Sequence, residues 1–98
     1  MSGALSFLPL TPAQADLLAA LHATSFPEPW PPEAFRSLLD DPIRIGALAV
    51  EGETPAGFIL LQQTRDEAEV LTLVVAPGAR RRGVGSALLE WAIATCAG

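Results

Sequence analysis

The chain has 98 residues, half of them apolar and 17% charged, which allows one small globular domain and excludes a disordered segment. Its net charge of -5 speaks against a general nucleic-acid binder. It has no lysine, and three of its six basic residues form one tripeptide, Arg80-Arg81-Arg82. A single cysteine, Cys96, rules out an internal disulfide and a cysteine-based metal cluster, and no metal is expected. The first ten residues lack the basic region of a signal peptide. No stretch reaches the roughly 18 apolar residues that span a bilayer. The expected location is therefore the cytoplasm, with no membrane partner.

Leu5–Leu10 predicts a first strand. Thr11-Pro12-Ala13-Gln14 predicts a helix start, with Thr11 as N-cap, Pro12 at the first helical position and Gln14 where a capping box needs its acceptor. Leu17, Leu18, Leu21 and His22 follow at helical spacing, and the helix should end near Thr24. Ser25–Pro32 holds four prolines around Phe26 and Trp30, which excludes a regular helix or a central strand. Glu33–Asp40 predicts a second helix with Phe35, Leu38 and Leu39 on one face, stopped by Asp41-Pro42.

Ile43–Val50 and Pro55–Gln63 predict a hairpin across the turn Glu51-Gly52-Glu53-Thr54. Ala68–Val75 is strongly β-prone and ends at Pro77-Gly78. Gly83–Ala94 predicts the last helix, with Val84, Ala87, Leu88, Trp91 and Thr95 at helical spacing and Trp91 in the core. The order is β-α-α-β-β-β-α, an α/β (α+β) arrangement.

Chemistry concentrates between Leu71 and Glu90. A strand enters a loop with three arginines and two glycines, and the loop opens a helix. Arginines just before a helix N-terminus are badly placed alone, because that end already carries partial positive charge and unpaired N–H groups. They fit if an anion sits there, and Gly83 and Gly85 let backbone N–H groups approach it. Gly78 and Gly83 have Walker A spacing, but Val84 occupies the lysine position. Gly83 and Gly85 begin a dinucleotide fingerprint, but Leu88 stands at its third glycine. A plain solvated turn is the remaining bland alternative.

Arg80-x-x-Gly83-x-Gly85, after a strand ending Val-Val-Ala-Pro, resembles the acetyl-CoA motif of the GNAT superfamily of N-acetyltransferases. The resemblance implies an acetyl-CoA cosubstrate whose pyrophosphate is held by Arg80, Arg81, Arg82, Gly83, Val84, Gly85 and Ser86. It also implies that Leu73, Val74 and Val75 pair with the pantetheine arm. The fold it implies is the front of the GNAT fold, a mixed, mostly antiparallel sheet flanked by helices. His22-Ala-Thr-Ser-Phe-Pro-Glu-Pro-Trp30, the helix with Phe35, and Glu67–Val75 narrow the resemblance to bacterial ribosomal-protein-alanine N-acetyltransferases. Pro31 departs from it, standing where a Ser or Thr helix cap is more usual.

The resemblance implies acetyl transfer to a protein N-terminal amine, the N-terminal alanine of a small-subunit ribosomal protein, with the loop around Trp30 helping to form the peptide groove. It also implies that residues 1–98 are a single incomplete domain, because the family adds a fifth strand, a further helix and a closing hairpin. The glutamate base and the tyrosine acid of close relatives lie in those later elements, and this chain has no tyrosine. Glu69 and Glu67 are the acids on the last strand or its approach. Glu69 is the candidate base, with a solvated strand-end carboxylate as the alternative. Without a fifth strand, Val70–Val75 has an open edge, so self-association is expected. His22 reads as structural and Cys96 as a small hydrophobe. The other functional reading is a non-catalytic remnant that keeps CoA or phosphate affinity or serves as an interaction module.

Overall fold

The structure, a computed structural model, describes residues 4–96. Strand β1 (Leu5–Pro9) is followed by a 3₁₀ turn (Pro12–Gln14), helix α1 (Ala15–Ala23) and helix α2 (Pro32–Leu39). Strands β2 (Arg44–Glu51), β3 (Thr54–Gln63) and β4 (Ala68–Val75) come next, then a 3₁₀ turn (Pro77–Ala79) and helix α3 (Val84–Cys96). The four strands form one sheet in the order β1-β2-β3-β4. All three pairings are antiparallel. The expected order is met, and the sheet is more uniform than the mixed one expected.

The first helix enters through a tighter turn than its pattern predicts. Pro12–Gln14 is 3₁₀, and the α-helix proper starts at Ala15. Gln14 does serve the expected cap: its Oε1 accepts the Thr11 N–H at 2.9 Å. Helix α2 begins at Pro32 with no side-chain cap from Pro31. The Pro31 carbonyl instead accepts the N–H groups of Ala34 (3.0 Å) and Phe35 (3.4 Å).

The sheet is a central layer with a core on each face. Leu18, Phe35 and Leu39 of α1 and α2 pack on Leu48, Phe58, Leu60 and Val74. Val84, Leu88 and Ala92 of α3 pack on Ala47, Ala49, Ile59 and Leu61. Consecutive residues of β2 and β3 are therefore buried on opposite sides, which explains why Gly46–Val50 and Ala56–Leu61 are buried throughout instead of alternating. Phe35 and Phe58 are fully buried and meet edge to face at 5.8 Å. Trp91, expected in the core, is only half-buried and packs on the rim of the α3 cluster, because the α3 face turned to the sheet is narrow. Leu17 likewise faces outward.

Among the described strands β4 is an edge, paired only with β3. Beside it, Leu61, Ala68, Val70, Leu89, Ala92, Ile93 and Cys96 line an apolar groove. Val70, Leu89 and Ile93 are exposed there.

Candidate functional site

The pairing of β4 with β3 is interrupted once. Leu60 lies opposite Thr72 and Leu61 opposite Val70, so Leu71 is an extra residue, a β-bulge. The bulge resets which face each β4 side chain uses. Leu73 and Val75 pack on the α3 side, and Val74 on the α1/α2 side. Before the bulge, Ala68 and Val70 face α3 across the apolar groove, while Leu71 packs with the α1/α2 core. Glu69 lies opposite Gln62 on that same α1/α2 face, because directly opposed residues share a side. Thr72 is also buried there, opposite Leu60, and among the described residues its Oγ1 has no hydrogen-bond partner.

Main-chain direction at the end of β4 follows from one bond. Ala76 N–H donates to Ala56 O at 2.8 Å, so the polar groups of Ala76 and Val74 point to β3. Those of Val75 and Leu73 point to the open edge. Of the three strand residues expected to pair with a pantetheine arm, Leu73 and Val75 therefore present their main chain outward. Val74 supplies a buried side chain.

The loop after β4 is shaped by two left-handed residues, Arg81 (φ 68°) and Gly83 (φ 78°). A non-glycine residue in that region carries strain, which tends to be retained at functional sites. Gly83 has open space where a Cβ would project, and at Gly85 the nearest atom to a Cβ would be Val75 Cγ2 at 3.5 Å. The first bond of α3 runs from Ala87 N–H to Gly83 O at 3.0 Å. Among the described residues that leaves the N–H groups of Val84, Gly85 and Ser86 as the unpaired donors of a helix start. Open space beside Gly83 and N–H donors at the positive end of a helix are features that suit a phosphate or pyrophosphate. Val84 is buried and anchors this turn to the α3 core.

The three arginines do different things. Arg82 Nη2 pairs with Glu51 Oε1 at 2.8 Å and donates to Gly78 O at 3.3 Å, fastening the loop to the β2–β3 turn. Arg80 Nε donates to Val75 O at 3.3 Å, and its Nη2 donates to Ser25 Oγ at 3.1 Å. Among the described residues, Arg81 makes no side-chain hydrogen bond or ion pair.

The segment between α1 and α2 packs around His22. Its Nδ1 accepts the Trp30 N–H at 3.1 Å, and its ring stacks on Phe26 (4.2 Å between centroids) and Trp30 (4.8 Å). Burial lowers its pKa below the usual 6.5, favouring the neutral ring that this acceptor role needs. His22 is thus a structural residue, as its sequence setting implies. Glu69 is exposed, and among the described residues its carboxylate has no partner. It lies roughly 20 Å from Val75 along the strand. No group of three or more potential metal ligands is assembled among the described residues, and no described helix is long and apolar enough to cross a membrane.

Residues 15–98 match the model of the Acetyltransferase (GNAT) family. The chain belongs to that family. A search among curated proteins finds no match. Among solved structures, the fold is similar to the ribosomal-protein-S18-alanine N-acetyltransferase from Escherichia coli, with TM-score 0.87 and 22% identity over 95% of this chain and 59% of that one. It is also similar to the ribosomal-protein-alanine N-acetyltransferase from Brucella melitensis biovar Abortus 2308 (TM-score 0.77, 18% identity, 94% of this chain and 71% of that one). A third similar structure is Arabidopsis thaliana NAA60 in complex with acetyl-CoA (TM-score 0.75, 19% identity, 94% and 67%). The chain spans about three-fifths of the length of the E. coli enzyme.

Three residues at this site carry no signal in the sequence. Ser25, Glu51 and Thr72 acquire their roles from partners 55, 31 and 12 positions away, or from a bulge. Only the coincidence of the Arg80–Arg82 run with its glycines marks the region in advance.

Proposed function

We propose that this GNAT chain is the cofactor-binding part of an acetyl-CoA-dependent N-acetyltransferase that acts on a protein N-terminal α-amine, with the N-terminal alanine of a small-subunit ribosomal protein as substrate. The observation that carries the reading is the left-handed, glycine-opened loop joining a bulged edge strand to the start of α3. The likeness to the two ribosomal-protein-alanine enzymes supports the substrate class.

In this reading residues 1–98 supply the front part of the acetyltransferase domain. Backbone donors from Arg81 to Ser86 hold the pyrophosphate, with the Arg81 side chain beside them. The outward main chain of Leu73 and Val75 orients the pantetheine arm. Acetyl-CoA supplies the thioester acyl group. The acceptor amine must lose a proton to attack, and Glu69, the carboxylate of β4 on the α1/α2 face, is assigned that step. A second reading, binding of CoA without turnover, draws on the exposure of Glu69.

Calorimetric titration with acetyl-CoA tests the site. Binding by the chain that Gly83→Asp abolishes supports it, and no binding at millimolar ligand removes it. CoA release with an alanine-terminated peptide then separates the enzyme from the binding remnant.

A further inference from the structure

Arg80 reaches from one layer of the molecule to the other. Val75, which accepts from its Nε, ends β4 and packs toward α3. Ser25, which accepts from its Nη2, follows α1 on the opposite face of the sheet. Ser25 is itself tied to α1, its N–H donating to His22 O at 3.1 Å. A guanidinium is a planar, rigid fork, so two acceptors held by one fork cannot shift independently. Arg80 also begins the loop: its backbone is extended (φ -68°, ψ 151°) and the left-handed Arg81 follows directly. If Arg80 swung out to an anion, it would release both Ser25 and the Val75 carbonyl on the open edge.

We infer that Arg80 is a strut rather than an anion ligand, and that Ser25 is a positioning residue: through this pair the loop at the start of α3 and the loop between α1 and α2 set each other's position. What the two loops bind rests on the acetyltransferase reading. The link itself does not. With it in place, an anion at one loop and an acceptor peptide at the other favour or oppose each other reciprocally.

Trp30 lies in the α1–α2 loop, bonded to His22, and reports on that loop once Trp91→Phe has removed the other tryptophan. In that background Ser25→Ala, Arg80→Gln and the double variant are compared by acrylamide quenching of Trp30, and their affinity for CoA is measured by calorimetry. The expected result is increased quenching, equal in the two single variants and no greater in the double. Ser25→Ala should also weaken CoA binding about two- to tenfold although Ser25 lies outside the loop, and Ser25→Thr should restore it. Unchanged quenching in both single variants, or full additivity in the double, overturns the strut. CoA binding that is unaffected by Ser25→Ala overturns the coupling of the two sites. If the free chain shows the non-additive quenching but binds no CoA, the strut stands and the acetyltransferase reading falls.

Discussion

Replacing His22 tests the packing of the loop between α1 and α2. The ring is 2% exposed, sits between Phe26 and Trp30, and meets Phe35 edge-on at 5.6 Å. His22→Ala removes the buried ring and leaves the Trp30 N–H without its acceptor. Together these should cost about 3 kcal/mol, a large share of the roughly 5–15 kcal/mol that holds a small domain. His22→Asn keeps an acceptor oxygen near the position of Nδ1 and should recover part of that loss. The pH dependence has a definite sign. The folded pKa lies below the unfolded 6.5, so the neutral ring's contribution is full above pH 6.5. As pH falls through 6.5 the unfolded chain takes a proton that the folded one refuses, and stability drops by at most about 1.4 kcal/mol per pH unit until the folded pKa is reached. His22 is the sole histidine, so the difference between the native chain and His22→Asn isolates this effect from the carboxylates. Urea unfolding followed by tryptophan fluorescence from pH 7.5 to 5 measures it. A difference that stays flat, or a cost for His22→Ala below about 1 kcal/mol, would refute the reasoning.

Three further substitutions have defined outcomes. Thr72→Val removes a buried hydroxyl without a partner at nearly constant shape and should stabilise the chain by about 1 kcal/mol in urea unfolding; a loss of stability would mean that the hydroxyl is satisfied by water. Gly83→Ala meets no neighbouring atom but must hold φ near 78°, so its unfolding midpoint should fall by the equivalent of about 1 kcal/mol through strain alone. Glu51→Gln removes the partner of Arg82 and should cost under about 1 kcal/mol, with the difference shrinking as salt is added.

Several elements were readable in advance for identifiable reasons. Ala68–Val75 is bounded as expected because β-branched and aliphatic residues run without interruption from Val70 up to Pro77. Helix α2 starts one residue before its expected Glu33, since Pro32 itself suits a first helical position. The Arg80–Gly85 loop was legible because charge, glycine spacing and a helix start coincide in six residues. The bulge at Leu71 was not, because Val70-Leu71-Thr72 reads as part of an ordinary β-prone run and only the pairing with Leu60 and Leu61 shows the extra residue. Nor could the arginines be told apart. As residues they are identical, and their partners Val75, Ser25, Gly78 and Glu51 are chosen by the path of the folded chain.

Local chemistry along the chain therefore determined the element order, the antiparallel hairpin and the glycine-opened turn that begins α3, since each depends on neighbours within a few residues. Tertiary structure alone decided which face of the sheet Glu69 and Thr72 occupy, which arginine has no side-chain partner among the described residues, and that Ser25 is joined to the loop before α3. Those outcomes depend on register and on contacts up to 55 residues apart, and a one-residue bulge is enough to reverse the face a strand side chain occupies.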